Sequence, residues 1–210
     1  NLGALLMYNG IPYDSDEARA WGGAIASLMT GEAYKQSALI ASRVGSFDGY
    51  EINKEAMNNV VAKHRDASRQ INDRNIDDRN LYEESMKVWD EALELGKEYG
   101  YRNSQATVIA PTGTISLMMD FATTGIEPDF SLIKMKNLVG GGVIKIVNHV
   151  VPAALKNLGY QEKDAKDIID WIEEQGTIEG SPILKNSHLP IFDCAVKAAQ
   201  GTRSISWQGH

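Results

Sequence analysis

Apolar residues recur at helical spacing from the start of the chain and predict a first long helix. Asp14 is followed three residues later by Glu17, a spacing typical of the capping pair that opens a helix. The apolar positions after this pair lie three and four residues apart. Gly31 is expected to split the helix, and Gly45 is expected to end it.

Two further helices are predicted in the first half. The first covers about residues 55–70 and the second about residues 81–99. The polar residues 72–80 between them predict a solvated loop. Gly100 stands where a glycine commonly ends a helix.

A short strand and a loop are predicted next. Residues 106–110 form a β-branched and apolar run that predicts a buried strand, which Pro111 should end. Beyond the proline, one glycine stands among hydroxyl side chains, and residues 115–119 can open a helix. Backbone N–H groups at a helix start lack partners and carry partial positive charge, so this loop suits an anion. It lacks the Walker A spacing, so an ordinary connection between a strand and a helix remains an alternative.

The second half of the chain is less regular. Apolar residues recur over residues 143–151, which could form a helix or a strand, and we favour a helix that Pro152 kinks or restarts. Residues 164–175 predict an amphipathic helix closed by Gly176. Two later runs are strand-like, residues 183–184 and 189–196. Helices alternating with sparse apolar strands indicate an α/β fold.

Composition narrows the class of protein. The chain has 210 residues, of which 43% are hydrophobic and 23% charged, with 28 acidic against 21 basic residues and a net charge of −7. The lack of a basic cluster disfavours a nucleic-acid partner, and no run approaches the roughly 20 apolar residues that span a membrane. The single cysteine, Cys194, fits a reducing compartment, so we expect a cytoplasmic protein.

Several motifs together carry a family resemblance. Pro111-Thr-Gly-Thr-Ile115, Gly125-Ile-Glu-Pro128 and Tyr101-Arg-Asn-Ser104 resemble the large subunit of ribonucleotide reductase, most closely the vitamin B12-dependent class II enzymes. Further similar segments follow in the family's order: Asn1-Leu-Gly-Ala-Leu-Leu-Met7, Pro12-Tyr-Asp-Ser-Asp16, Met29-Thr-Gly-Glu-Ala-Tyr34, Leu138-Val-Gly-Gly-Gly142 and Thr202-Arg-Ser-Ile205. The resemblance therefore runs nearly from end to end.

The resemblance implies a fold and an activity. Residues 1–210 would be the later, helix-rich part of a ten-stranded α/β barrel, a partial catalytic barrel domain. The whole protein would be an adenosylcobalamin-dependent ribonucleoside-diphosphate reductase, which reduces the ribose 2′-hydroxyl to make deoxyribonucleotides for DNA synthesis. Its partners would be the ribonucleotide substrate and an external dithiol reductant such as a thioredoxin. A homodimer and the choice between di- and triphosphate substrates are left open.

The resemblance also implies roles for individual residues. A substrate-phosphate loop would consist of Pro111, Thr112, Gly113, Thr114, Ile115 and Ser116, with Glu127 and Asn103 as candidates for lining the active site. Such an enzyme needs at least three thiols, and this chain has one. We therefore expect a piece of a longer protein, with no catalytic residue and no metal ligand of its own and little activity alone. The radical cysteine would lie upstream.

Simpler interpretations compete with these roles. Glu127 precedes Pro128 and could simply cap a turn, and Cys194 fits a small buried hydrophobe. Lys134 and Lys136 could add charge near a phosphate, although alternate lysines usually mark a solvated face. Two rival functions are a class I reductase large subunit and a non-catalytic helical interaction module. Nucleotide binding would separate the module from an enzyme.

Overall fold

The computed structural model describes residues 1–137 and 143–210, and it divides the chain into two compact units. Unit 2 comprises residues 19–108, and unit 1 comprises residues 1–18 and 109–210. The motif Leu138-Val-Gly-Gly-Gly142 lies outside the described residues.

Unit 2 is helical. Its helices are α2 (Asp16–Val44, which begins three residues before the unit boundary), α3 (Tyr50–Ser68) and α4 (Arg79–Tyr99), with a short 3-10 turn at Asp73–Asn75. The third predicted helix is confirmed, because Asp78 caps its start by accepting a hydrogen bond from the Leu81 N–H at 2.9 Å. Gly100 follows its end at φ 76°, in the left-handed region that glycine adopts without strain.

The predicted break at Gly31 is wrong, since α2 runs without interruption for 29 residues. The glycine serves close packing instead. A Cβ atom on Gly31 would lie 2.4 Å from Val88 Cγ1 and 3.3 Å from the Trp89 ring, so a larger residue would push α4 away. Gly45 does follow the end of this helix, as predicted.

The core of unit 2 is aromatic. Trp89, Tyr50 and Tyr101 are each no more than 2% exposed, and both tyrosines bond to the backbone of α4. The Tyr101 hydroxyl donates to the Ala92 carbonyl and the Tyr50 hydroxyl to the Gly96 carbonyl, each at 3.0 Å. Satisfied hydroxyls allow these large rings to be buried without an unpaired polar atom.

The predicted buried strand at residues 106–110 is wrong. These residues form no strand, and Val108 and Ile109 are 82% and 64% exposed. Within this run, the Thr107 hydroxyl instead bonds to the Thr30 hydroxyl on α2 at 3.0 Å. A β-branched run becomes a strand only beside a neighbouring strand, and within the described residues sheet pairing joins only two other segments.

Unit 1 contains short helices and one hairpin. Its elements are α1 (Leu2–Tyr8), α5 (Gly113–Met118), β1 (Ile133–Asn137), β2 (Val143–Val147), α6 (Val151–Asn157), α7 (Glu162–Gln175) and 3-10 turns at Asn186–Phe192 and Trp207–Gly209. Strands β1 and β2 pair antiparallel, with Ile133 opposite Val147. The helix predicted at residues 143–151 is therefore wrong for its first five residues, because β-branched residues there pair with β1.

The later predictions have mixed outcomes. Helix α7 is confirmed, and Gly176 closes it at φ 75°. Pro152 does restart the chain as a helix, since it lies in the first turn of α6, where the missing N–H is harmless. The strand-like runs 183–184 and 189–196 form no strands. Part of the second run belongs to the 3-10 turn Asn186–Phe192, which packs against the core.

The core of unit 1 lies between these short elements. Val151, Leu155, Ile168 and Ile172 are fully buried, and Phe192 is 2% exposed. The helix-rich arrangement with a small sheet supports the α/β class. The described residues do not form a closed barrel, so the ten-stranded barrel stays a prediction for the longer protein. No helix among them is long and apolar enough to cross a membrane.

Cys194 is buried, as predicted. It is 8% exposed and belongs to the core of unit 1, with its thiol 3.6 Å from the Phe192 carbonyl oxygen. Burial first, and the charge of Asp129 second, raise the pKa of the Cys194 thiol, which therefore stays protonated at neutral pH.

We expect the Cys194 thiol to react with Ellman's reagent in the unfolded chain but only slowly in the folded one. Cys194→Ser should lower the free energy of unfolding by roughly 1–3 kcal/mol, because it places a more polar group in an apolar site. Urea denaturation of the 210-residue chain measures this loss, with Cys194→Ala as the apolar control. Fast labelling in the folded chain would contradict the burial argument.

Candidate functional site

The predicted phosphate loop is a tight turn that opens α5. Thr112 has φ 53°, a left-handed conformation that is costly for a β-branched residue. The first intrahelical hydrogen bond runs from the Ser116 N–H to the Thr112 carbonyl at 2.9 Å. The N–H groups of residues 113, 114 and 115 therefore have no acceptor within the helix. The strained residue therefore lies directly beside the N–H groups that have no acceptor within the helix.

The hydroxyl groups of the loop divide into two kinds. Thr112 Oγ1 and Ser116 Oγ bond to each other at 3.1 Å, and Ser116 is only 2% exposed. Thr114 is exposed, as are Pro111 and Ile115. The Thr112–Ser116 bond thus holds the shape of the turn, while Thr114 lies at the surface.

Gly113 leaves space beside the exposed N–H groups. Among the described residues, a Cβ atom on Gly113 would meet no heavy atom within 4 Å. The φ angle of Gly113 is not positive, so its role is not to supply an unusual backbone angle. The positive φ falls on Thr112 instead. Gly113 therefore keeps one face of the loop open to an approaching group.

The Gly125-Ile-Glu-Pro128 turn lies directly against the residues that lead into the loop. Gly125 has φ 51°, and a Cβ atom there would lie 2.8 Å from the Ala110 carbonyl oxygen and 3.4 Å from that of Pro111. Only glycine fits both the angle and the contact. The structure thus brings two of the sequence motifs together.

The start of α1 packs on the other side of this turn. The Leu2 N–H donates to the Gly125 carbonyl at 3.2 Å, and the Ala4 N–H donates to Thr123 Oγ1 at 3.1 Å. A Cβ atom on Gly3 would lie 2.7 Å from the Glu127 carbonyl oxygen. The first motif of the chain therefore supports the turn from behind.

Glu127 lies at the surface of the same turn. Its side chain is 56% exposed, and its carboxylate Oε2 is 3.5 Å from His210 Nδ1. Its backbone N–H donates to the Thr124 carbonyl at 2.9 Å, so the residue also closes the turn. Tyr13 donates its hydroxyl to the Ile126 carbonyl at 2.6 Å, and burial and the Glu127 charge together raise the pKa of Tyr13. Both interpretations of Glu127 remain open.

Asn103 lies in unit 2 and has a structural contact. Its side-chain oxygen accepts a hydrogen bond from the Ser37 hydroxyl at 3.1 Å, and its backbone N–H donates to the same hydroxyl oxygen at 2.8 Å. Ser37 is 2% exposed on α2. This reciprocal pair ties the Tyr101-Arg-Asn-Ser104 motif to α2.

Sequence reasoning missed a polar cluster around the buried carboxylate that follows the turn, with an exposed lysine as one partner. Asp129 is 4% exposed and accepts a hydrogen bond from the Asn148 side-chain amide. Lys134 Nζ lies 3.8 Å from Asp129 Oδ1. The sequence shows that Lys134 and Asp129 carry charges, but no spacing rule predicts that either of them lies near Asn148.

The comparison with known families decides the assignment. The family described as "Ribonucleotide reductase, barrel domain" matches residues 1–208. The chain belongs to the ribonucleotide reductase family. The motif resemblance found in the sequence is thus confirmed at the level of the family.

Similar proteins bear a more specific name. The chain is 51% identical over its whole length to the "Vitamin B12-dependent ribonucleotide reductase" of Rhodopirellula baltica, of which it covers 20%. It is 49% identical over its whole length to the protein of the same name from Streptomyces avermitilis, of which it covers 21%. A more distant relative, at 28% identity over 78% of the chain, is the "Ribonucleoside-diphosphate reductase subunit alpha" of Chlamydia muridarum, of which the chain covers 15%.

The chain thus spans about a fifth of the length of the two B12-dependent reductases. Among the residues that the structure describes, no group of three or more His, Cys, Asp and Glu side chains is placed to hold a metal ion. Three of the histidines have other contacts: His188 with Tyr160, His210 with Glu127, and His64 stacked on Trp89. We assign none of these histidines a role in binding cobalamin.

Proposed function

We propose that this ribonucleotide reductase chain is part of an adenosylcobalamin-dependent enzyme that reduces the 2′-hydroxyl of ribonucleotides to make deoxyribonucleotides. The observation that carries the proposal is the identity of 51% over the whole chain to a reductase named for its dependence on vitamin B12. The far lower identity to a reductase alpha subunit favours this class over class I. The family membership of nearly the whole chain disfavours a non-catalytic helical module.

The loop at residues 111–116 would bind the substrate phosphates. Its N–H groups at 113–115 have no acceptor within α5, Gly113 leaves space for close approach, and Thr114 is an exposed residue that carries a hydroxyl. Pro111 would set the angle at which the chain enters the loop. The Thr112–Ser116 bond would hold the loop in the shape that binds. Such contacts at the unreactive end of the substrate orient the ribose for reaction.

The remaining components belong to the proposal for the whole protein. Adenosylcobalamin would supply the radical chemistry when bound, and an external dithiol such as a thioredoxin would supply the reducing electrons. Glu127 and Asn103 stay candidates for lining the active site, Glu127 by its exposed carboxylate. Residues 1–210 would form one part of a single barrel domain, in a cytoplasmic enzyme that a second copy could join as a homodimer.

We expect the full-length protein to form deoxyribonucleotide from a ribonucleotide, adenosylcobalamin and a dithiol. The 210-residue chain alone should form none, because its single thiol is buried and cannot act on a ribose. Assays with labelled CDP and labelled CTP measure deoxyribonucleotide formation by the full-length protein and by the 210-residue chain. The same assays identify the preferred substrate. Product that requires no cobalamin would contradict the proposed class. Product made by the isolated chain and lost in Cys194→Ser would contradict the structural role of this cysteine.

A further inference from the structure

One lysine bridges the two ends of the turn that contacts the phosphate loop. Residues 122–129 lie between α5 and β1 in the chain, and Lys134 lies on β1. The Lys134 ammonium donates to the Ala122 carbonyl at 2.6 Å and lies 3.8 Å from Asp129 Oδ1. These two acceptors stand at opposite ends of the segment, so a single cation closes it into a loop.

Asp129 is held firmly on its other side. Asn148 donates its amide to Asp129 Oδ2, and its own side-chain oxygen accepts from the Val150 N–H at 2.9 Å, which fixes the orientation of that amide. Burial raises the pKa of Asp129, whereas the Asn148 bond and the Lys134 charge act in the opposite direction. A buried carboxylate is costly unless it is paired, and its environment supplies both partners.

The bridged segment supports the phosphate loop directly. Gly125 lies near its middle, and a Cβ atom on it would lie 2.8 Å from the Ala110 carbonyl oxygen and 3.4 Å from that of Pro111, immediately before Thr112. The strained φ of Thr112 must be maintained by its surroundings, since the free chain would relax it. The segment at 122–129 is part of that surrounding, and the Lys134 bridge holds its two ends together.

We propose that Lys134 is a positioning residue for nucleotide binding, which keeps the turn at residues 122–129 in the shape that holds the loop at residues 111–116 ready for phosphate. The proposal rests on the proposed phosphate-binding role of that loop. With the bridge removed, the loop must be ordered when the ligand binds, and this cost falls on affinity. Because the loop meets only the phosphate end, binding of a nucleoside without phosphate should be spared.

The test compares ligands with and without phosphate on the full-length enzyme. We expect Lys134→Met to raise the Kd for CDP and CTP about tenfold, a change equivalent to about 1.4 kcal/mol, with little effect on the Kd for cytidine. Lys134→Arg keeps a cation with several donors and should recover most of the affinity. Lys145→Met is the matched control, because Lys145 is an exposed lysine on the adjacent strand, 3.4 Å from the Glu173 carbonyl. It should bind all three ligands normally.

Asp129→Asn separates positioning from direct contact with phosphate. The substitution keeps an acceptor for Asn148 and leaves the Lys134 charge in place, but it removes the ion pair. Weaker binding of CDP and CTP in this variant supports the positioning role and serves also if Lys134→Met does not fold. Unchanged or tighter binding in Asp129→Asn beside a weakened Lys134→Met would overturn it.

Two further outcomes distinguish this inference from the proposed function. If Gly113→Val weakens nucleotide binding while Lys134→Met binds as the wild type does, the phosphate loop stands and the role of Lys134 is overturned. If neither variant changes the preference for nucleotide over nucleoside, the loop does not bind phosphate, and both proposals fail. An equal loss of cytidine and nucleotide affinity in Lys134→Met would also overturn the positioning role.

Discussion

Gly113→Val in the full-length reductase should weaken nucleotide binding about tenfold to a hundredfold, the loss expected from removing one charge-assisted contact worth roughly 1.5–3 kcal/mol. The valine side chain would occupy the space beside the first N–H groups of α5, where a Cβ atom would meet no described atom within 4 Å apart from its chain neighbours and the backbone of α5. The loss should therefore arise at the ligand and not within the protein. Equilibrium binding of CDP and CTP measures it.

The structure of the loop at Gly113 also provides controls for the Gly113→Val variant. Gly113 needs no positive φ, and a Cβ atom there meets no described atom within 4 Å, so the variant should fold normally. Gly113→Ala should show a smaller loss, because it fills less of the open space. Thr114→Ala should act in the same direction but more weakly, because it keeps the backbone donors. A normally folded Gly113→Val enzyme with unchanged Kd would remove the phosphate-loop assignment.

Gly96→Ala should destabilise unit 2 by about 3 kcal/mol, the upper part of the range for overpacked cores. A Cβ atom on Gly96 would lie 2.0 Å from the Tyr101 ring, which is fully buried. The ring cannot yield without losing its contacts with Tyr50 and Tyr34. Urea denaturation of the 210-residue chain, followed by the fluorescence of Trp89 and the other tryptophans, measures the loss.

Gly23→Ala is the matched control within the same unit. Gly23 also lies inside a helix, but a Cβ atom there would be 3.6 Å from Ile71 Cγ1, an ordinary contact. Because alanine favours a helix by up to roughly 1 kcal/mol over glycine, this variant should be neutral or slightly more stable. Tyr101→Leu should make the Gly96→Ala change less costly, since the smaller side chain leaves room. Similar losses in Gly96→Ala and Gly23→Ala would contradict the packing argument.

The sequence alone determined the elements whose signals are local. Helix α4 was predictable because its apolar period lies within its own residues and the glycine that ends it, Gly100, follows directly. Helix α7 and its closing Gly176 followed in the same way. The family also came from short contiguous motifs, and the same motifs underlie the proposed position of the phosphate loop. Such signals can be read without knowing what lies opposite in space.

Tertiary structure decided the features that depend on a distant partner. A β-branched run forms a strand only with a neighbour, so residues 143–147 pair with β1 while residues 106–110 lie exposed. Gly31 looked like a helix break because its packing partner lies more than 50 residues away in the chain. The cluster of Lys134, Asp129 and Asn148 joins three short segments through a buried charge. The burial of Asp129 is unfavourable unless it is paired, and its partners are distant in sequence and come together only on folding. The spacing of residues in the sequence therefore could not predict these contacts.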